Sequence, residues 1–175
     1  PTNLDLKYLT IAIDAGHGGD NIGADGVNSK ILEKNYTLMI AKELQAALIK
    51  KKATVIMTRE IDTTLSMPER IQFLKSKTHD LLISIHLNSS SQDTTQGVST
   101  YYRYIGFRPL SLAILHRMLD LNLKEYGNVG AFNFSLSGPT DYPNCLVEVA
   151  FLSNTEDEQK ILDPAFHKAV AKKIV

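Results

Sequence analysis

The stretch Cys145–Leu152, CLVEVAFL, decides the fold, because it holds seven apolar residues and a single acid. A strand with one face in water alternates apolar and polar residues, whereas a strand buried on both faces is a nearly continuous apolar run. The stretch is therefore typical of a central strand in a sheet that is covered on both sides. Its one charged residue, Glu148, lies in the middle of the run.

Strands and helices alternate along the rest of the chain. Short runs rich in apolar and β-branched residues predict four more strands, at Leu9–Ala15, Ala53–Arg59, Asp80–His86 and Val98–Tyr104. Apolar residues at helical spacing and capping residues predict the helices, at Glu33–Lys52, from the cap Ser66 to about Lys77, at Leu110–Leu123, after the cap Asn154, and after the cap Asp163 with Pro164 at the first position. Because strands that alternate with helices need crossover connections, we predict an α/β fold. Its sheet should be twisted, mostly parallel and five or six strands wide, with helices on both faces.

The bulk composition is that of one folded domain covering residues 1–175. Hydrophobic residues make up 43% of the 175, which is enough to build a core. Lys and Arg total 19 and Asp and Glu total 19, so nucleic-acid binding, which needs a basic surface, is not expected. No apolar run approaches the roughly 18 residues of a membrane span. Since the chain begins at Pro1 without a leader, we expect any targeting segment, anchor or further module to lie outside it.

Three potential metal ligands lie at the ends of predicted elements. His17 follows the first strand, Glu33 begins the first helix and His86 ends the third strand. Each has a simpler interpretation, as a polar turn residue, an acid that complements the helix dipole, or a hydrogen-bonding strand end. Two imidazoles and one carboxylate are also a recognised catalytic zinc set with an open fourth position. One zinc ion would account for all three residues together.

Glu148 is the fourth polar group of interest. An ionised carboxylate among apolar neighbours is costly unless it is paired, and burial raises its pKa whereas a nearby cation lowers it. One interpretation is a buried salt bridge to Arg59 or Arg70. The functional interpretation is a general base that lies beside the metal and activates water.

Seven segments of the chain, in this order, carry a family resemblance. They are IAIDAGHGGD (Ile11–Asp20), Glu33–Lys34, VIMTRE (Val55–Glu60), LSMPER (Leu65–Arg70), LLISIHLNS (Leu81–Ser89), GVSTYY (Gly97–Tyr102) and CLVEVAFLSN (Cys145–Asn154). The sequence thus resembles the zinc N-acetylmuramoyl-L-alanine amidase family over nearly its whole length.

The resemblance implies a function and a set of site residues. By it, His17, Glu33 and His86 hold Zn²⁺ and Glu148 is catalytic. The implied substrate is peptidoglycan, cut at the amide between N-acetylmuramic acid and L-alanine by a single catalytic domain. We expect a monomer that is secreted or associated with the wall of a bacterium. Whether the role is division, lysis or release from the mother cell in sporulation stays open.

The resemblance also suggests partners for the histidines and shows two departures from the family. Asp14 and Asn88, close in sequence to the histidines, are candidates to orient them. Gly127–Gly130 and Phe134–Pro139 replace an Arg-Gly pair and a more basic loop that are frequent in relatives, which leaves stem-peptide specificity open. Only Arg103–Pro109 separates the fourth strand from the next helix, so we expect no helix that plugs the site.

Three alternatives belong to other classes of protein. A thiol amidase would use Cys145 with a histidine, although a free cysteine is often simply buried. A non-catalytic module would bind peptidoglycan without cutting it. A nucleotide site is disfavoured, because Gly18 and Gly23 have P-loop spacing but no Lys-Ser/Thr follows them. The remaining histidines, His79, His116 and His167, receive no role, and we expect His116 and His167 to be solvated.

Overall fold

The computed structural model describes residues 5–175, so the expectation drawn from Pro1 lies outside the described residues. Within them the chain forms six strands: β1 Thr10–Ala15, β2 Thr54–Met57, β3 Leu81–Asn88, β4 Val98–Tyr101, β5 Glu125–Val129 and β6 Asn144–Phe151. The same part of the chain forms five α-helices: α1 Glu33–Lys50, α2 Met67–Lys75, α3 Arg108–Leu119, α4 Thr155–Leu162 and α5 Pro164–Ile174. Two short 3-10 turns lie at Ile105–Phe107 and Ser135–Ser137.

The strands form one mostly parallel sheet in the order β2-β1-β3-β6-β4-β5. The pair β4 and β6 is antiparallel, and every other neighbouring pair is parallel. The predicted α/β class is therefore confirmed, and CLVEVAFL lies in the interior of the sheet between β3 and β4. Strand β5 was not predicted, because the sequence interpretation assigned no helix or strand to Glu125–Val129.

Helices cover the two faces of the sheet unequally. Side chains of β1, β3 and β6 that point to one face join α1, α3 and α5 in the main core, which includes Ile13, Ile85 and Val147. On the other face a smaller cluster packs Leu74 of α2 against Ala12 and Leu82. Because successive strand residues point to opposite faces, the residues between the main-core positions all point toward this thinly covered face. Part of this second face is thus left for polar groups.

The predicted helix caps are present. The hydroxyl of Ser66 accepts from the backbone N–H of Glu69, whose carboxylate accepts in return from the Ser66 N–H, which completes the capping box. The side chains of Asn154 and Asp163 cap α4 and α5 by accepting from backbone N–H groups in the first turn of each helix. In the described part of the chain, no helix combines the length and apolar character needed to cross a membrane.

Candidate metal centre

His17, Glu33 and His86 come together at the carboxyl edge of the parallel strands. Each of the three offers one ligand atom, and these atoms all lie within 4.8 Å of one another. The Oε1 atom of Glu33 lies 3.1 Å from Nε2 of His17 and 3.0 Å from Nδ1 of His86. The two imidazole rings meet edge to face with their centroids 5.0 Å apart. Residues separated by up to 69 positions in the sequence therefore form one cluster.

His17 lies in the turn that follows β1. Its backbone φ of 59° is in the left-handed region, which is uncommon for a residue with a side chain. The Nδ1 atom lies 2.8 Å from Oδ1 of Asn21. Because an amide oxygen only accepts hydrogen bonds, Nδ1 donates to Asn21, and Nε2 is the ring atom that faces Glu33. Asn21 thus orients the ring, a role that the sequence interpretation had offered to Asp14 and Asn88.

Glu33 is a buried carboxylate at the first position of α1, where the helix dipole favours negative charge. Its Oε1 accepts from the backbone N–H of Leu87 at 2.9 Å and its Oε2 accepts from that of Ala24 at 2.8 Å. Burial opposes the charge, but the hydrogen bonds from His17 and His86 outweigh it and lower the pKa of Glu33 to about 2. Glu33 is therefore held ionised.

His86 lies near the end of β3 and packs directly on the backbone of the His17 turn. A Cβ added to Gly16 would lie 2.4 Å from Cε1 of the His86 ring, so only glycine fits beneath the imidazole. Burial disfavours the charged ring, but the hydrogen bond to Glu33 and the field of Glu148 raise the pKa of His86.

Glu148 lies beside this cluster, because it pairs directly with His86 in the register of β3 and β6. Its Oε2 atom is buried, and no described residue hydrogen-bonds it. Burial raises the pKa of Glu148 to about 7, against the opposing influence of His86. The suggested salt bridge is not formed, since Arg70 pairs with Asp14 at 2.6 Å and Arg59 donates to backbone carbonyls. Glu148 therefore keeps one oxygen without a protein partner.

Asp14 belongs to a buried polar network beneath the cluster. Its carboxylate accepts hydrogen bonds from Thr58, Arg70 and Ser84 at 2.6 to 2.7 Å. The guanidinium of Arg70 also donates to the backbone carbonyl of His17. Asp14 therefore acts on the His17 turn through Arg70.

Cys145 is badly placed for the thiol alternative. Its side chain lies in the main core, on the opposite face of β6 from Glu148. Complete burial raises the pKa of the Cys145 thiol to about 12, so the nucleophilic thiolate is disfavoured.

The other histidines differ from expectation in one case. His116 is exposed on α3, as expected. His167 is buried, and its Nε2 lies 2.6 Å from the carbonyl oxygen of Ile161 while its ring packs edge to face on Tyr36. The expectation that His167 is solvated is therefore wrong, because α5 turns this residue toward α1.

The donor set fits zinc by its chemistry. Two imidazole nitrogens and one carboxylate oxygen are ligands of catalytic zinc sites, which leave a further position open. The unpartnered Oε2 atom of Glu148 supplies a proton acceptor beside them. Sequence reasoning identified these four residues but missed Asn21, Leu87, Ala24 and the bonding of Arg59. Arg59 lies in the VIMTRE segment and Arg70 in the LSMPER segment. These two segments were the sequence signal from which a role of the arginines near the cluster could have been inferred.

The fold and the cluster define a class of protein, in which an α/β sheet carries potential metal ligands at the carboxyl edge of its strands. The family model described as N-acetylmuramoyl-L-alanine amidase (Amidase_3) matches residues 11–175. The chain therefore belongs to the N-acetylmuramoyl-L-alanine amidase family, and the resemblance drawn from the motifs is confirmed.

Individual relatives agree with this assignment. The probable cell wall amidase LytH of Staphylococcus saprophyticus is 34% identical over 176 residues, which cover 100% of this chain and 59% of that protein. LytH of Staphylococcus aureus is 35% identical, over 97% of this chain and 57% of its own length. The chain thus spans less than three fifths of these curated relatives.

Two solved structures share the fold along most of both chains. The catalytic domain of CwlV, an N-acetylmuramoyl-L-alanine amidase from Bacillus (Paenibacillus) polymyxa var. colistinus, superposes with a TM-score of 0.87 at 30% identity, covering 95% of this chain and 93% of that one. An N-acetylmuramoyl-L-alanine amidase from Clostridium difficile 630 gives a TM-score of 0.89 at 31% identity, covering 95% and 92%.

Proposed function

We propose that residues 1–175 form a single catalytic domain that hydrolyses the amide between N-acetylmuramic acid and L-alanine in peptidoglycan, with zinc as its cofactor. One observation carries the proposal: the ligand atoms of His17, Glu33 and His86 lie within 4.8 Å of one another, beside a glutamate in register with His86. Family membership supports the reaction, and the donor set supports the metal.

His17, Glu33 and His86 would hold the zinc ion. When bound, zinc supplies Lewis acidity, which polarises the carbonyl of the scissile amide and makes water more acidic. Asn21 fixes the ring of His17, and the N–H groups of Leu87 and Ala24 fix the carboxylate of Glu33. Such outer contacts keep the three donors in place before substrate arrives.

Glu148 would move the proton. Its unpartnered Oε2 accepts a proton from water as the water oxygen attacks the lactyl carbonyl carbon. The protonated carboxyl then gives that proton to the alanine nitrogen as the carbon–nitrogen bond breaks. The products are a free lactyl carboxylate and a stem peptide with a free amino terminus. Burial raises the pKa of Glu148 to about 7, which suits a group that both takes and returns a proton near neutral pH.

The place of action follows from the substrate. Peptidoglycan lies outside the cytoplasmic membrane, and the relatives named cell wall amidase support a role there. We infer that the domain acts at the bacterial wall, as a secreted or wall-associated protein.

The variant Glu148→Gln tests the proton transfer. The amide keeps the size of the side chain but accepts no proton, so we expect normal zinc content and a loss of turnover of roughly 10²- to 10⁴-fold. The measurements are metal analysis and dye release from labelled cell wall. Glu43→Gln, at a partly exposed acid on α1, is the matched control and should keep wild-type activity.

Two outcomes would contradict the proposal. Wild-type dye release by Glu148→Gln would remove the role of Glu148. Binding of wild-type protein to cell wall without release of soluble product would instead support the non-catalytic binding module.

A further inference from the structure

Arg59 is a buried guanidinium that the proposed reaction does not use. Only 3% of its surface is exposed, and among the described residues no carboxylate lies within ion-pair distance of it. Arg70, by contrast, is buried next to the carboxylate of Asp14. Burying a cation is costly unless hydrogen bonds compensate for the lost hydration. The hydrogen-bond partners of Arg59 therefore indicate the role of this side chain.

Apart from the carbonyl of Ile61, which accepts from Nη1 at 3.2 Å, the partners of Arg59 lie on the two segments that carry His17 and Glu33. Its Nε donates to the carbonyl of Ala15 at 2.9 Å and its Nη2 donates to that of Gly16 at 2.8 Å. The same Nη2 donates to the carbonyl of Lys34 at 2.7 Å. Gly16 directly precedes His17 and Lys34 directly follows Glu33, so one side chain joins the two ligand-bearing segments next to the ligands themselves.

A second, weaker link joins the same segments. The hydroxyl of Thr37, in the first turns of α1, donates to the carbonyl of Gly16 at 2.8 Å and accepts from Arg59 at 3.2 Å. Of these two segments, Arg70 contacts only the turn that carries His17, where it donates to the carbonyls of Ala15 and His17. Arg59 and Thr37 therefore bridge the turn and the helix, whereas Arg70 anchors the turn alone.

The bridge is needed because the covalent connection between the two ligands is long. Residues 18–32 separate His17 from Glu33, and much of this loop is exposed. His86, in contrast, is fixed by its pairing within the sheet. The separation of His17 and Glu33 therefore depends on contacts across the gap, and a guanidinium, with five donors in a rigid fork, can hold several carbonyls at once.

We propose that Arg59 is a positioning residue that sets the separation of His17 and Glu33 and thereby the affinity of the site for its metal. The assignment rests on the proposed function, because it takes these residues to be zinc ligands. A lysine at this position keeps the charge but has no planar fork, so it can hold the carbonyls on one side only.

The test is the zinc affinity of Arg59→Lys, measured by competition with a chromogenic chelator, together with the absorption spectrum of the Co²⁺-loaded protein. We expect zinc binding 10- to 100-fold weaker than in wild type, the range seen when outer contacts of metal ligands are lost. The Co²⁺ bands should shift, because the ligand geometry changes. Leu48→Ala is the control for lost stability, because Leu48 is buried in the last turn of α1, far along the helix from Glu33. This variant should keep the zinc affinity and the Co²⁺ spectrum of wild type.

Thr37→Val is the second variant, since it removes only the hydroxyl that joins the same segments. Should Arg59→Lys fail to fold, as judged by circular dichroism, weaker zinc binding by Thr37→Val supports the role and unchanged binding overturns it. If Arg59→Lys folds and keeps the zinc affinity and the Co²⁺ spectrum of wild type, the role of Arg59 is overturned as well. The role is also overturned if Leu48→Ala loses as much zinc affinity as Arg59→Lys. The wild-type titration separates the two claims, because absence of zinc binding there overturns the proposed function itself.

Discussion

At the scale of the residue, glycines set how closely the backbone approaches the cluster. A Cβ added to Gly23 would lie 2.4 Å from Oε2 of Glu33 and 2.8 Å from Cδ2 of His17. Gly23 also has a φ of +70°, a conformation that costs other residues roughly 1–2 kcal/mol. The loop between the first two ligands therefore reaches the site only because this position has no side chain.

Gly23→Ala should weaken zinc binding about 10-fold or more, because the new methyl group displaces the carboxylate of Glu33. Chelator competition measures the affinity, and circular dichroism checks the fold. Gly106→Ala is the matched control, since a Cβ there would meet nothing within 4 Å. Equal zinc affinity in the two variants would show that the close approach of Gly23 has no consequence.

Asp14 makes the stability of the molecule depend on pH. Burial raises the pKa of its carboxyl, but the charge of Arg70 and the hydroxyls of Ser84 and Thr58 lower it below 3.8 overall. A lowered pKa in the folded state stabilises the fold above pH 3.8, and that stabilisation is lost as pH falls through the folded-state pKa.

Asp14→Asn should therefore lower the free energy of unfolding by roughly 3–5 kcal/mol at neutral pH, because Arg70 is left buried without its partner. The difference from wild type should shrink at pH values below 3.8, because the Asp14 carboxyl of the unfolded wild-type chain binds a proton there that it must release to form the ion pair. Urea denaturation at pH 7 and pH 3 measures both values. A difference that stays constant between the two would contradict the ion pair.

At the scale of the element, local sequence signals predicted most strands and helices but missed β5. The caps of α2, α4 and α5 depend on contacts within a few residues, and all three are visible in the sequence. Strand β5, EYGNV, has a glycine at its centre and one β-branched residue. It is an edge strand stabilised by pairing with β4, and that pairing leaves no local pattern.

The capping box of α2 gives the prediction at this scale. Ser66→Ala should lower the free energy of unfolding by about 1 kcal/mol, because the N–H of Glu69 loses its acceptor. Urea denaturation measures the change. Ser91→Ala, at an exposed serine in a loop, should leave stability within about 0.5 kcal/mol of wild type. An equally small effect of Ser66→Ala would show that the cap does not stabilise α2.

At the scale of the whole molecule, topology explains why these side chains could be expected to lie together. Parallel strands bring their carboxyl ends to one edge, so residues that follow β1 and end β3 meet there. Strand periodicity then puts Glu148 on the same face as His86 and Cys145 on the other. The bridge through Arg59 could not be predicted, because it depends on which backbone carbonyls face β2 after folding.

The most direct measurement of the central claim is digestion of purified peptidoglycan by the wild-type domain, with and without a chelator, followed by mass analysis. The account predicts free lactyl carboxylates and stem peptides with alanine amino termini, which disappear when the chelator removes the metal and return when zinc is added. Undiminished release of these products in the presence of the chelator would contradict it.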